Sequence, residues 1–239
     1  MVKLTQEFID AALQLADNEQ SKISEREVEL FGLSSKRLKA LLNNLCSKEN
    51  TNYLEIGVYK GSTLISALFG NNTCKAVGVD NYKYDEREPK RHAPEGGIWP
   101  NMKSQLLANL DRYNQFNSKV QVDNIKLIEG NFQDIDWKDQ PKFDLCFFDV
   151  TPANKEMYDA FFTKTLAVLS SEAVIVFSNY SNEKNAKEID ACITEYSDRF
   201  DIQWKKQRVS GGMSDSTQYY SGILILGIKK KIAKINKVT

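Results

Sequence analysis

Tyr53-Leu54-Glu55-Ile56-Gly57-Val58-Tyr59-Lys60-Gly61-Ser62-Thr63 is the stretch that decides the fold. A short apolar run enters a glycine turn, and a helix opens at the second glycine. The next apolar run, Ala76-Val77-Gly78-Val79, ends on Asp80. This is the layout of a crevice at the carboxyl ends of parallel strands, where adenosine-containing cofactors bind. Gly57 is read as the point where backbone passes close to a ligand with no Cβ in the way. Gly61 and Ser62 open a helix whose free N–H groups suit a carboxylate or phosphate. The spacing is Gly-x-x-x-Gly, whereas a dinucleotide fingerprint needs Gly-x-Gly-x-x-Gly, so a pyrophosphate cradle is disfavoured. Glu55 argues the same way: an acid there repels pyrophosphate but accepts from a cationic amino group. Asp80 lies roughly 20 residues past the turn, where an acid takes ribose hydroxyls.

Strand and helix alternate outward from this stretch. Strands are expected at 52–58, 76–80, 125–130, 143–150 and 173–179, and helices at 61–70, 101–114, 155–169 and 184–198. Continuous apolar runs such as Leu145-Cys146-Phe147-Phe148 suit a parallel sheet covered on both faces. The end differs: 201–209 and 222–228 read as two strands with only loop between them, which predicts an antiparallel closing pair. Residues 1–48 read as a helical extension, with Ser34-Ser35 capping a helix that carries Leu38, Leu41, Leu42 and Leu45. That extension suits a cover for the site or a dimer surface. Residues 49–231 form the sheet domain and 232–239 a tail. The one long irregular stretch, 83–100, holds three prolines, two glycines and His92, and is read as a lid or substrate loop.

Other strand ends add candidates. Asn131 is placed to bond an adenine edge and Phe132 to lie against its face. Asp149 closes the fourth strand, and Ser178-Asn179-Tyr180 the fifth.

Taken together, the chain resembles class I S-adenosylmethionine-dependent methyltransferases, and among them small-molecule O-methyltransferases of the catechol and macrocin types. Glu55, Gly57, Gly61 and Thr63 match the first motif, Asp80 the ribose acid, Gly130-Asn131 the adenine-side motif and Asp149 the fourth-strand acid. The resemblance covers about residues 50–230. It implies an α/β, Rossmann-like, doubly wound, seven-stranded, mostly parallel sheet with an antiparallel C-terminal strand. It also implies S-adenosyl-L-methionine held by Glu55, Gly57, Gly61, Ser62, Thr63, Asp80, Asn131, Phe132 and Asp149, and methyl transfer at oxygen of a small-molecule acceptor. Asp149, Lys155 and His92 are the candidate catalytic groups. Metal-dependent relatives use more acids than this chain offers: Ser178 stands where an acid is expected, and Pro152 where some have His. Asp149 and Asn179 are the only candidate ligands if a divalent ion binds, and one carboxylate suits Mg²⁺ poorly. Tyr180, Tyr158, Trp99 and Tyr219 are candidates for an acceptor pocket. The same weakened acid set motivates the alternative of a cofactor-binding domain without catalysis, acting as an interaction or regulatory module.

Composition narrows the classes further. Lys+Arg 32 balances Asp+Glu 32, and the Lys229-Lys230-Lys231 run is short, so nucleic acid is not expected as a partner. No apolar run approaches the ~20 residues of a membrane span, and the N-terminus lacks a signal-peptide core, so the expected location is cytoplasmic. Cys46, Cys74, Cys146 and Cys192 are scattered without metal spacing.

Overall fold

The structure is a computed structural model, described here for residues 3–23, 34–83, 102–117, 120–151, 153–208, 219 and 221–231. His92, Trp99, Pro152, the tail 232–239 and all but Lys83 of the 83–100 stretch lie outside the described residues.

Seven strands form one sheet: β1 (Asn52–Ile56), β2 (Lys75–Asp80), β3 (Ile125–Glu129), β4 (Phe143–Phe148), β5 (Leu169–Ser178), β6 (Phe200–Arg208) and β7 (Ile223–Lys230). Their order is β3-β2-β1-β4-β5-β7-β6. The first five run parallel, and β7 pairs antiparallel with both β5 and β6. The closing antiparallel pair and the doubly wound order are those expected from the sequence.

Alternation of side chains along the strands gives the sheet two apolar faces. Tyr53, Leu145, Phe147, Val174, Val176, Ile223 and Ile225 face one cluster. It is shared with α1 (Gln6–Asp17), α2 (Lys36–Leu45), α3 (Ser62–Leu68) and α4 (Met102–Asn117). Leu54, Ile56, Cys146, Phe148, Ile175, Phe177, Leu224 and Leu226 face the other, covered by α5 (Lys155–Lys164) and α6 (Glu183–Glu195). The second face is aromatic: Phe148 meets Phe132, Phe161 and Phe177 edge-on at 5.2–5.9 Å between centroids, each such contact adding about 0.5–1.5 kcal/mol beyond area burial.

Both N-terminal helices begin on a capping hydroxyl. Thr5 accepts from Phe8 N at 3.3 Å and Ser35 from Leu38 N at 3.1 Å, satisfying otherwise orphaned donors. The first helix is tied to β6 by two ion pairs, Asp10–Lys206 and Asp17–Arg208, both at 2.9 Å, and Lys3 just before it pairs with Glu172 of β5 at 2.8 Å. The helix expected at 155–169 stops at Lys164, passes through a 3-10 turn, and β5 starts at Leu169. Ser170 explains the early start: its hydroxyl donates to the buried Asp144 at 2.7 Å, beside a register shift between Phe143 and Leu145.

No helix among the described residues is long and apolar enough to cross a membrane.

Candidate functional site

The candidate residues gather at the carboxyl ends of β1, β2, β3, β4 and β5. Gly57 follows β1 with φ +93°, and its N–H donates to Val79 O at 2.9 Å. Asp149 N donates back to Ile56 O at 2.8 Å. A Cβ on Gly57 would stand 2.0 Å from the Asp149 carbonyl oxygen. The Asp149 backbone thus requires glycine here, a reason additional to the close approach of a ligand suggested by the sequence. Gly61, at φ +81°, opens α3; a Cβ there would meet Leu106 Cδ1 at 2.2 Å. Ser62 and Thr63 are 5% and 6% exposed.

Glu55 is fully buried beneath this turn. Tyr53 Oη donates to its Oε2 at 2.5 Å and Thr63 Oγ1 to its Oε1 at 2.7 Å. It lies under the crevice floor and is not open within it. Burial pushes its carboxyl up to about 8, overriding the two hydrogen bonds, with the Asp149 and Asp80 charges adding to the rise. The native state thus holds a proton that the unfolded chain, near 4.5, gives up. Stability conferred by that proton is present below about 4.5 and is lost as pH climbs through about 8. Glu55→Gln should flatten this decline in urea melts taken across the interval; an unchanged slope would refute the protonated reading.

Asp80 ends β2 half-buried, with one backbone donor on each oxygen: Tyr59 N to Oδ2 and Tyr82 N to Oδ1, both at 2.7 Å. Both donors sit in the left-handed region, Tyr59 at φ +52° and Tyr82 at +49°. Such strain gathers at ligand sites. A carboxylate has about four lone-pair sites, so Asp80 keeps capacity for two ribose hydroxyls. Next to it, Asn81 Nδ2 donates to Asn131 Oδ1 at 2.8 Å, and Asn131 Nδ2 to Asp134 Oδ2 at 3.0 Å. Asn131 is exposed on this edge. Phe132 is not: it is 5% exposed and packs edge-on against Phe148 at 5.4 Å. Its ring belongs to the core, so the adenine-face role read from the sequence does not hold.

Asp149 continues β4 half-buried. The Ser178 hydroxyl donates to its Oδ1 in a short hydrogen bond. Asn179 Nδ2 reaches the same Oδ1 at 3.4 Å, Ser178 Oγ at 2.9 Å and Thr151 Oγ1 at 3.4 Å. Asn179 adopts φ +59°. Burial lifts the Asp149 carboxyl to about 6 against the Ser178 bond, with the Asp80 charge adding to the rise. Oδ2 has no hydrogen-bond partner among the described residues. Ser178 had registered in the sequence only as a missing acid; the fold makes it the donor that fixes Asp149. A divalent ion here would find one carboxylate, and no group of three His, Cys, Asp or Glu forms among the described residues. This donor set fits Mg²⁺ poorly.

Other candidates are engaged elsewhere. Lys155 is exposed and pairs with Asp159 at 2.8 Å and Glu195 at 3.1 Å. Hydrogen bonds to those two carboxylates hold its proton more tightly than usual. It is a charged surface lysine and not a desolvated base. Tyr158 is a core residue at 1% exposure. Tyr219 donates to Asp17 at 2.9 Å, and Tyr180 to Asp190 at 3.0 Å. The hydroxyls of Tyr219 and Tyr180 thus serve internal contacts and do not line an acceptor pocket.

No protein-family model and no curated protein matches this sequence. Solved structures match its fold. SMU.776, a proposed methyltransferase complexed with S-adenosylhomocysteine, shares 15% identity over 83% of this chain and 50% of that one, with a TM-score of 0.55. Small RNA methyltransferase HEN1 shares 14% over 83% of this chain and 25% of that one, at 0.52. Precorrin-6y C5,15-methyltransferase from Geobacter metallireducens shares 14% over 87% of this chain and 94% of that one, at 0.50. This chain spans half or less of the first two. The fold thus occurs in proteins named for RNA and for a precorrin, and a neutral net charge does not exclude a nucleic-acid acceptor. The exclusion drawn from composition is withdrawn. The sheet order, the closing antiparallel strand and these neighbours give the chain the fold of class I S-adenosylmethionine-dependent methyltransferases.

Proposed function

We propose that this chain binds S-adenosylmethionine and transfers its methyl group to an acceptor hydroxyl. The observation that carries the reading is the contact between Gly57 and the Asp149 carbonyl. It brings the turn suited to the cofactor and the acid suited to the acceptor against each other on one sheet edge. Asp80, Asn131 and the 57–63 turn fit the ribose, adenine and methionine parts of the cofactor. When bound, the cofactor supplies an electrophilic methyl group. The chain then has to orient the acceptor and receive its proton. Asp149 suits the second task. Its Oδ1 is held by Ser178 and Asn179, its Oδ2 is open to an acceptor hydroxyl, and it is ionised above about pH 6. A small hydroxylated molecule is the first acceptor to test, and RNA the second.

The test starts with binding. S-adenosylhomocysteine should bind the wild-type chain, and Asp80→Ala should weaken it about 10²–10⁴-fold, as expected for losing two hydrogen bonds to a charged group at about 1.5–3 kcal/mol each. Calorimetry reads this directly, and equal affinities would remove Asp80 from the site. Tight binding without methyl transfer to phenols, sugars, amines or RNA would instead favour the binding-module reading.

A further inference from the structure

Asn179 stands where β5 ends and the chain turns toward α6, at φ +59°. The turn is tied down around it. Asn179 O accepts from Asn182 N at 3.2 Å, Tyr180 N donates to Gly222 O at 3.2 Å, and Ser181 N donates to Ser221 O at 2.8 Å. Glycine suits such a left-handed position, and asparagine tolerates it. The turn thus accounts for the backbone conformation but asks for no amide.

The amide has surroundings of its own. Its Nδ2 lies 2.9 Å from Ser178 Oγ and 3.4 Å from both Asp149 Oδ1 and Thr151 Oγ1. An ionised carboxylate only accepts, so the amide turns its N–H₂ group and not its carbonyl toward this cluster. Ser178 is 7% exposed and bonds to both Asn179 and Asp149. Its hydroxyl has two lone pairs and one proton that rotates to suit its partners. With Asn179 donating to the oxygen, the proton goes to Asp149 Oδ1, where the hydrogen bond is short. Every donor from Asn179 through Ser178 to Asp149 therefore points toward the carboxylate. Bonds in such a chain polarise one another. The amide also takes up a lone pair on Ser178 that would otherwise compete with Asp149 for the proton of an incoming hydroxyl.

We propose that Asn179 is a positioning residue that acts through Ser178. Its amide sets the direction of the Ser178 hydroxyl, and that hydroxyl holds Asp149 with Oδ2 free for the methyl acceptor. The consequence for the rate rests on the methyl-transfer reading; the one-way hydrogen-bond chain does not.

Two replacements separate the amide from the turn. Asn179→Gly keeps the left-handed backbone and removes the amide. Asn179→Asp keeps the shape but reverses the polarity, because the new carboxylate competes with Asp149 for the Ser178 proton. Assays contain a chelator, so that the added carboxylate recruits no cation. Asn179→Gly should lower kcat about tenfold and Asn179→Asp about 100-fold, the scale of one neutral and one charged hydrogen bond, with KM and S-adenosylhomocysteine affinity little changed. A residue needed only for its shape would rank the other way, with aspartate the milder change. In a Ser178→Ala background, Asn179→Gly should lower kcat no further. Wild-type kcat in Asn179→Asp, the reversed ranking, or additive losses in the double variant would overturn the proposal. Urea melts decide the chain without any turnover. The stability losses of Asn179→Gly and Asp149→Asn should be coupled, and the coupling should vanish once Ser178 is replaced by alanine. Additive losses, or coupling that persists without Ser178, overturn the proposal as well. If no acceptor is methylated while the coupling through Ser178 is found, the methyl-transfer reading falls and the one-way chain stands.

Discussion

Asp149→Asn lowers methyl transfer by about 10²–10⁴-fold, the range associated with a lost general base. Asparagine keeps the shape and an oxygen for Ser178 but cannot accept the acceptor's proton. S-adenosylhomocysteine affinity should change far less, because Asp80 and the glycine turn remain. The pH profile gives a second signature. The carboxyl titrates at about 6, so wild-type kcat/KM should rise through pH 6 and level off above it. The sign follows from the role: a base works only when ionised, so activity is lost on the acid side. The variant's residual activity should lack that limb. A variant within about tenfold of wild type, or a wild-type profile flat across pH 5–7, would remove Asp149 from the proton path.

Gly57→Ala is the second large effect, on stability and binding together. The new methyl would lie 2.0 Å from the Asp149 carbonyl oxygen at a φ of +93°, so both the strand ends and the backbone must shift. Strain of about 1–3 kcal/mol and overpacking of similar size combine to about 3 kcal/mol or more. For a chain of this length that is a fall in Tm of roughly 6–12 °C. Affinity for S-adenosylhomocysteine should fall with it, since the turn cannot stay in place. Gly130→Ala is the control. Gly130 also has positive φ, +154°, but nothing lies within 4 Å of its Cβ position, so only backbone strain is added. If the two variants melt together, the contact with Asp149 is not what requires glycine at 57.

The strand-and-turn grammar of this chain was legible because it is local. An apolar run into Gly57, an acid at Asp80 and two helix-free final strands each depend on neighbours within a dozen residues. What escaped was set by contacts far apart in sequence. Phe132 reads as a ligand aromatic until Phe148 is seen edge-on to it. Lys155 reads as a base until Glu195, forty residues on, holds its charge. Ser178 reads as a lost acid until β5 lies beside β4 and its hydroxyl meets Asp149. The start of β5 was missed for a related reason. Leu169-Ser170-Ser171-Glu172 is too polar to look like strand, yet Leu169 pairs with Phe143 and Glu172 with Lys229. The reason given for Gly57 was incomplete because no local pattern discloses which backbone will approach a turn.

The ion pairs along α1 carry one more consequence, for the order in which the chain assembles. Asp10 and Asp17 find Lys206 and Arg208, residues almost two hundred positions later. The first helix to be synthesised therefore gains these last anchors only when nearly the last strand exists. Closing so long a loop is entropically slow. Ile9, Ala12, Leu13 and Ala16 are covered sooner, because α1 packs on α2 and Asn44 Nδ2 donates to Ala12 O at 3.5 Å and Gln20 O at 2.8 Å. A nascent chain thus has its α1–α2 pair from early in synthesis, and the clasp that fixes the pair to the sheet only at the end.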